Sequence, residues 1–187
     1  MRWTTTKLMA AGSLGVLRLI LSLPGAALPV ILAVPGASGL LNVFVAGILF
    51  PLTCLTIRTF GAATITGFVF SFLALPLPLS GPPGFVPKLI IGITSGLVAD
   101  GIFALLRAKE RLSALLIGGI TNIVIGLEIA GLGMVWQVPG IERFIKVMVS
   151  PITLGGALIG GAIAGYLGWL IYNRLKHSPV VRKIQSV

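Results

Sequence analysis

From Leu112 to Val135 the chain carries one charged residue, Glu128, and every other position is apolar, small or uncharged. A helix rises about 1.5 Å per residue, so a run of about 20 such residues crosses the roughly 30 Å hydrocarbon layer of a bilayer. Blocks of the same kind recur along the 187 residues, of which 56% are hydrophobic and only 10% charged. A soluble domain carries roughly 25% charged residues. Too little polar surface remains to cover a water-facing globule. The pattern predicts an all-α membrane protein in which residues 1–187 form a single transmembrane domain.

Six transmembrane helices are expected, at about residues 4–23, 40–57, 61–77, 85–106, 112–135 and 152–175. The N-terminus partly mimics a secretory signal, but Arg18 splits its apolar stretch, so it reads as a retained first span. After it comes "PGAALPVILAVPGASG", residues 24–39, apolar but punctuated by Pro24, Pro29, Pro35 and three glycines. Proline removes a backbone donor and glycine frees the backbone, which argues against a continuous helix. Irregular backbone at membrane depth survives only where protein buries it or where it lines a cavity. The segment therefore reads as an irregular outer loop capping the bundle. The loop "WQVPGIERFIKVMVSP" between the last two spans is expected to hold a short interfacial helix, and residues 174–187 form a short basic tail.

Net charge is +10, and its placement excludes a nucleic-acid partner. The basic residues sit at span ends and in short loops, with no basic face interleaved with aromatics. With six spans, one side collects Arg2, Lys7, Arg58, Arg107, Lys109, Arg111, Arg174, Lys176, Arg182 and Lys183. The other holds Lys88, Arg143 and Lys146. The bias puts both termini in the cytoplasm. One cysteine, Cys54, and one histidine, His177 in the basic tail, leave no metal cluster and no Ser-His-Asp triad in the apolar body. No cofactor and no enzymatic activity are expected.

The polar residues within the apolar blocks are Arg18, Asp100, Glu128, Asn42 and Asn122. A charge at the bilayer centre costs about 2.5–3.5 kcal/mol on insertion scales, so such groups face the bundle interior and have partners. Helix rise puts Arg18 roughly 20 Å and Glu128 roughly 24 Å from the inner face, and Asp100 about 10 Å from the inner end of its span. Arg18 and Glu128, at similar heights, either pair with each other or line an outward-facing pocket under residues 24–39, with Trp136 and Gln137 near its mouth. Asp100, two turns before Arg107, reads as a structural carboxylate held by Arg107 or Lys7. Asn122, in mid-membrane, reads equally as a helix–helix hydrogen bond or a ligand contact. In "GGALIGGAIAGYLG" two ladders of small residues are spaced by four, which lets helix backbones approach closely. Ala11 and Gly15 form a similar pair in the first span, read either as internal packing or as a docking face.

A chain of this size with six expected spans, a proline-broken segment after the first and the Ala11/Gly15 pair resembles the substrate-binding S component of energy-coupling factor (ECF) vitamin transporters. The stretch "IIGITSGLVADGIFALLRAK" resembles the YkoE-type S components, associated with thiamine or its hydroxymethylpyrimidine precursor, in which an acidic residue stands where Asp100 does. The resemblance implies an S-component-like bundle in a prokaryotic plasma membrane that binds a small vitamin from outside. Such a subunit docks onto an ECF transmembrane scaffold subunit driven by two cytoplasmic ATPases in trans. The chain agrees in lacking the "GxxxxGK[ST]" phosphate loop. It also implies that Ala11 and Gly15 meet the scaffold, with Gly where the family more usually has Ala. It places the vitamin pocket among the outer halves of spans four to six, the zone of Glu128, Trp136 and Gln137. A cationic ligand such as thiamine would take Glu128 as counter-charge. The alternatives are another vitamin, a structural or assembly membrane protein, and a stand-alone carrier.

Overall fold

The computed structural model describes residues 3–27, 37–79, 81–137 and 141–186. The order is α1 (Thr5–Ser22), a 3-10 turn (Leu23–Ala27), α2 (Ala37–Ile57), α3 (Ala62–Leu73), α4 (Pro87–Leu105), α5 (Glu110–Val135), α6 (Ile141–Met148), α7 (Pro151–Leu175) and α8 (Pro179–Ser186). Among the described residues there is no strand. Several helices start on recognisable signals. The Thr4 side chain accepts from the Lys7 amide, Ser150 accepts from the Thr153 amide, and Pro87 and Pro151 stand at first helical positions.

Four helices are long and apolar enough to cross a membrane: Thr5–Ala26, Pro87–Leu105, Glu110–Val135 and Pro151–Leu175. Leu41–Ile57 and Ala62–Leu73 are apolar but shorter. The third expected span, to residue 77, is thus trimmed. α3 has 12 residues, about 18 Å of rise, and then gives way to turns before Pro76 and Pro78. The loop helix expected after Trp136 is present as α6, with Glu142 and Lys146 among apolar neighbours. The capping role read for residues 24–39 falls mostly outside the described residues, of which only the 3-10 turn at Leu23–Ala27 and the start of α2 are seen.

Side chains are arranged as a bilayer demands. Large apolar groups point outward, including Met9 at 68%, Ile152 at 88% and Ile159 at 64% exposure, whereas Lys7, Arg18, Asp100 and Asn122 are buried. Glycines set the helix crossings. A β-carbon at Gly118 would strike the Gly161 carbonyl, and one at Gly165 would strike the Ala114 carbonyl, so α5 and α7 meet backbone to backbone. Gly67 and Gly92 do the same for α3 and α4, and Gly168 for α7 against Ile48 of α2. Gly156 and Gly160, on the other ladder, face open space.

This packing predicts a sharp contrast on one helix. Gly165→Leu destabilises the bundle by about 1–3 kcal/mol or abolishes its folded yield, whereas Gly160→Leu leaves the unfolding midpoint in detergent unchanged.

Candidate functional site

Two polar centres lie at opposite ends of the bundle. At the end that gathers both termini, α2 stops at Ile57 and the chain reverses through Arg58 and Gly61, both at positive φ. The break leaves the first amides of α3 open. Asp100, from α4, closes them. Its Oδ1 accepts from the Ala63 amide at 3.1 Å and its Oδ2 from the Thr64 amide at 2.9 Å and the Thr64 hydroxyl at 2.7 Å. The Cys54 thiol donates to the same carboxylate at 3.8 Å. A carboxylate here also faces the positive end of the helix dipole.

Asp100 is therefore structural, as expected, but its partner is a helix N-terminus. Arg107 donates to the Arg58 carbonyl, and Arg58 pairs with Glu110. The tail was expected only to be basic, yet α8 packs back with Val181 and Ile184 buried. Its Gln185 amide donates to the Leu55 and Thr56 carbonyls, each at 3.2 Å, which answers the open end of α2.

The second centre is a small, largely closed cavity toward the other end, lined by Arg18 of α1, Asn42 of α2, Phe70 and Ser71 of α3, Lys88 of α4 and Ile125 of α5. Its free volume of about 10 Å³ admits one water-sized occupant. Arg18 is 2% exposed. Its guanidinium carbon lies 4.6 Å from the Phe50 ring centre and 4.1 Å from that of Phe70. Among the described residues Nε and Nη1 have no hydrogen-bond acceptor. Lys88, also 2% exposed, donates to the carbonyls of Ala74 at 3.2 Å and Leu77 at 2.6 Å. Asn42 accepts from the Ser22 hydroxyl at 3.2 Å. Lys88 was counted only as an outer-side charge in the sequence, because a lysine beside Pro87 at a span end looks like a loop residue.

The other expected site residues do not join this cavity. Among the described residues, no ion pair links Arg18 to Glu128. Similar depth does not place two side chains on facing sides of their helices, and the Phe50 and Phe70 rings occupy the space at Arg18. Glu128 lies beside Thr94 of α4, with Oε2 buried and lacking a partner. Asn122 sits where α2, α5 and α7 cross, near Gly47 and Gly161, and its Oδ1 has no partner. Trp136 and Gln137 are exposed just past α5. Ala11 and Gly15, the expected docking pair, face inward. Ala11 is 0% exposed, its carbonyl accepts from the Thr66 hydroxyl, and a β-carbon at Gly15 would stand 2.8 Å from the Thr66 oxygen. A small-residue pair fixes close approach but not the identity of the partner, and here the partner is α3.

No protein-family model, curated protein or solved structure matches the chain. Among the described residues no group of three or more His, Cys, Asp or Glu could hold a metal ion.

The geometry at Asp100 separates its true partner from the expected one. Asp100→Ala lowers stability by about 1–3 kcal/mol, because buried amides lose their acceptor. Arg107→Gln, at an exposed position, costs under about 1 kcal/mol. Unfolding of the detergent-solubilised protein measures both.

Proposed function

We propose that the chain is the membrane-embedded binding subunit of a small-molecule uptake system, of the kind that ECF S components represent. The observation that carries this reading is the cavity with Arg18, Asn42 and Lys88. A buried guanidinium whose Nε and Nη1 lack acceptors among the described residues is costly inside a hydrophobic bundle, and a ligand that answers them removes that cost. Ligand sites between the helices of a bundle are a common arrangement. The cavity as it stands is far smaller than the roughly 300–1,000 Å³ of ligand pockets, so binding a vitamin-sized molecule requires the helices around it to part.

The reading includes six spans, with α2 and α3 as the two shorter ones, both termini cytoplasmic and a prokaryotic plasma membrane as the location. The energising scaffold and two ATPases act in trans. The inward-facing Ala11 and Gly15 do not support scaffold docking through that pair. Thiamine, a cation, would need Glu128 as its counter-charge, and Glu128 does not line this cavity, so the cavity does not support that ligand.

A structural or assembly role is the second reading. The glycine-rich outer face of α7 favours it, since Gly155, Gly156 and Gly160 meet nothing within 4 Å and leave a smooth surface for another helix.

Two outcomes are expected. In a Cys54→Ala background, Lys109→Cys and His177→Cys react with an impermeant thiol reagent from the cytoplasmic side only, and Pro83→Cys and Gln137→Cys from the outside only. Labelling of all four from one side rejects the six-span arrangement. Affinity purification from native membranes retains a membrane scaffold and ATPase subunits in fixed ratio. Purification of the chain with a non-ATPase assembly instead supports the second reading.

A further inference from the structure

We propose that the Arg18–Lys88 cavity is a receptor for an anion, and that the molecule this subunit binds presents a carboxylate or a comparably small anionic group to it. The inference deepens the binding-subunit reading and rests on it for the claim that the anion belongs to a transported molecule.

The argument is one of charge balance. The chain contains 4 acidic residues. Asp100 holds the N-terminus of α3 at the far end of the bundle. Glu110 pairs with Arg58 at that same end. Glu142 lies exposed on α6. Glu128 lies beside Thr94 and forms no ion pair among the described residues. Among the described residues no Asp or Glu side chain therefore neutralises Arg18 or Lys88, although both line one cavity and both are almost wholly buried.

The geometry around each cation is equally one-sided. Phe50 and Phe70 stack on the Arg18 guanidinium, so its packing is satisfied while its in-plane donors Nε and Nη1 are not. Nε and Nη1 point to different sides of the guanidinium, so each offers one charge-assisted donor to an anion. Lys88 directs two of its three donors to the Ala74 and Leu77 carbonyls, which fix the ammonium in place and leave one for a ligand. The Ser71 hydroxyl adds a neutral group at the wall. The free space, about 10 Å³, holds one water-sized occupant, so a carboxylate enters only as the lining side chains move apart. A cationic group would meet two like charges in a low-dielectric setting and is disfavoured.

The anionic group has two possible sources, a free inorganic ion or the carboxylate of an organic molecule, and the test separates them. The full chain is purified in neutral detergent. Its unfolding midpoint is followed during titration with sodium acetate, phosphate or chloride, with the sodium salt of a bulky sulfonate holding ionic strength constant. In the wild type the midpoint rises by about 3 °C and saturates, as specific binding does. Salting effects grow without saturating and are shared by every variant. The rise is absent in Arg18→Gln and Lys88→Gln, returns in part in Arg18→Lys, and persists in Lys109→Gln, an exposed site at the opposite end. A response to acetate assigns an organic carboxylate, and a response confined to phosphate or chloride assigns an inorganic ion. A saturating response equal in the wild type and in Arg18→Gln overturns the proposal. So does an unsaturating response of the wild type in all salts, whether or not the variants fold. A cation retained at one per chain and indifferent to Arg18→Gln also overturns it while leaving the binding-subunit reading intact. An Arg18-dependent anion response in a protein that retains no organic molecule keeps the anion site and removes the binding-subunit reading.

Discussion

The bond between Asp100 and the first amides of α3 holds one end of this bundle together. In an apolar surrounding no solvent answers a backbone group that a helix break exposes, so the chain must answer it. The reversal at Arg58–Gly61 opens the end of α2 and the start of α3 together. Asp100 from α4 takes the amides of α3, and Gln185 from α8 takes the carbonyls of α2. Arg58 then joins Glu110 of α5 and the Tyr172 hydroxyl of α7. Elements distant in sequence are thereby tied to one short turn, and a carboxylate in the middle of an apolar run has its explanation.

The two ends of the bundle differ in how charge is answered. Where the termini gather, carboxylates have partners and the exposed backbone has acceptors and donors. At the other end Arg18 and Lys88 are buried in one cavity with aromatic rings, carbonyls and amides but no carboxylate. Between the ends the helices meet through glycines, with backbones close enough that a β-carbon would collide. Such crossings admit little adjustment.

What the sequence made legible follows from what leaves a mark in one dimension. Long apolar runs located α1, α4, α5 and α7, and paired small residues correctly marked α7 as a helix that others approach closely. The length of α3 was overread because the apolar run continues past Leu73 into a proline-rich turn. Asp100 was recognisable as structural, but its partners are backbone amides, which have no signature in sequence. Depth along a helix placed Arg18 and Glu128 at one height yet said nothing of which way each points, and the pairing, one of the two alternatives, is not seen among the described residues. For Ala11 and Gly15, left open between internal packing and a docking face, the structure shows packing on α3. Asn42 and Arg18 were identified as site residues and do share the cavity. Lys88, their third polar companion, was hidden by its position beside a proline at a span end.

The most direct test of the binding-subunit account is to purify the chain in detergent without added ligand, denature it, and identify what is released by mass spectrometry. The account predicts a small organic molecule bearing a carboxylate or similar anionic group, close to one per chain, and its loss from Arg18→Gln. A folded wild-type protein that releases no small molecule and binds none from a cell extract contradicts it.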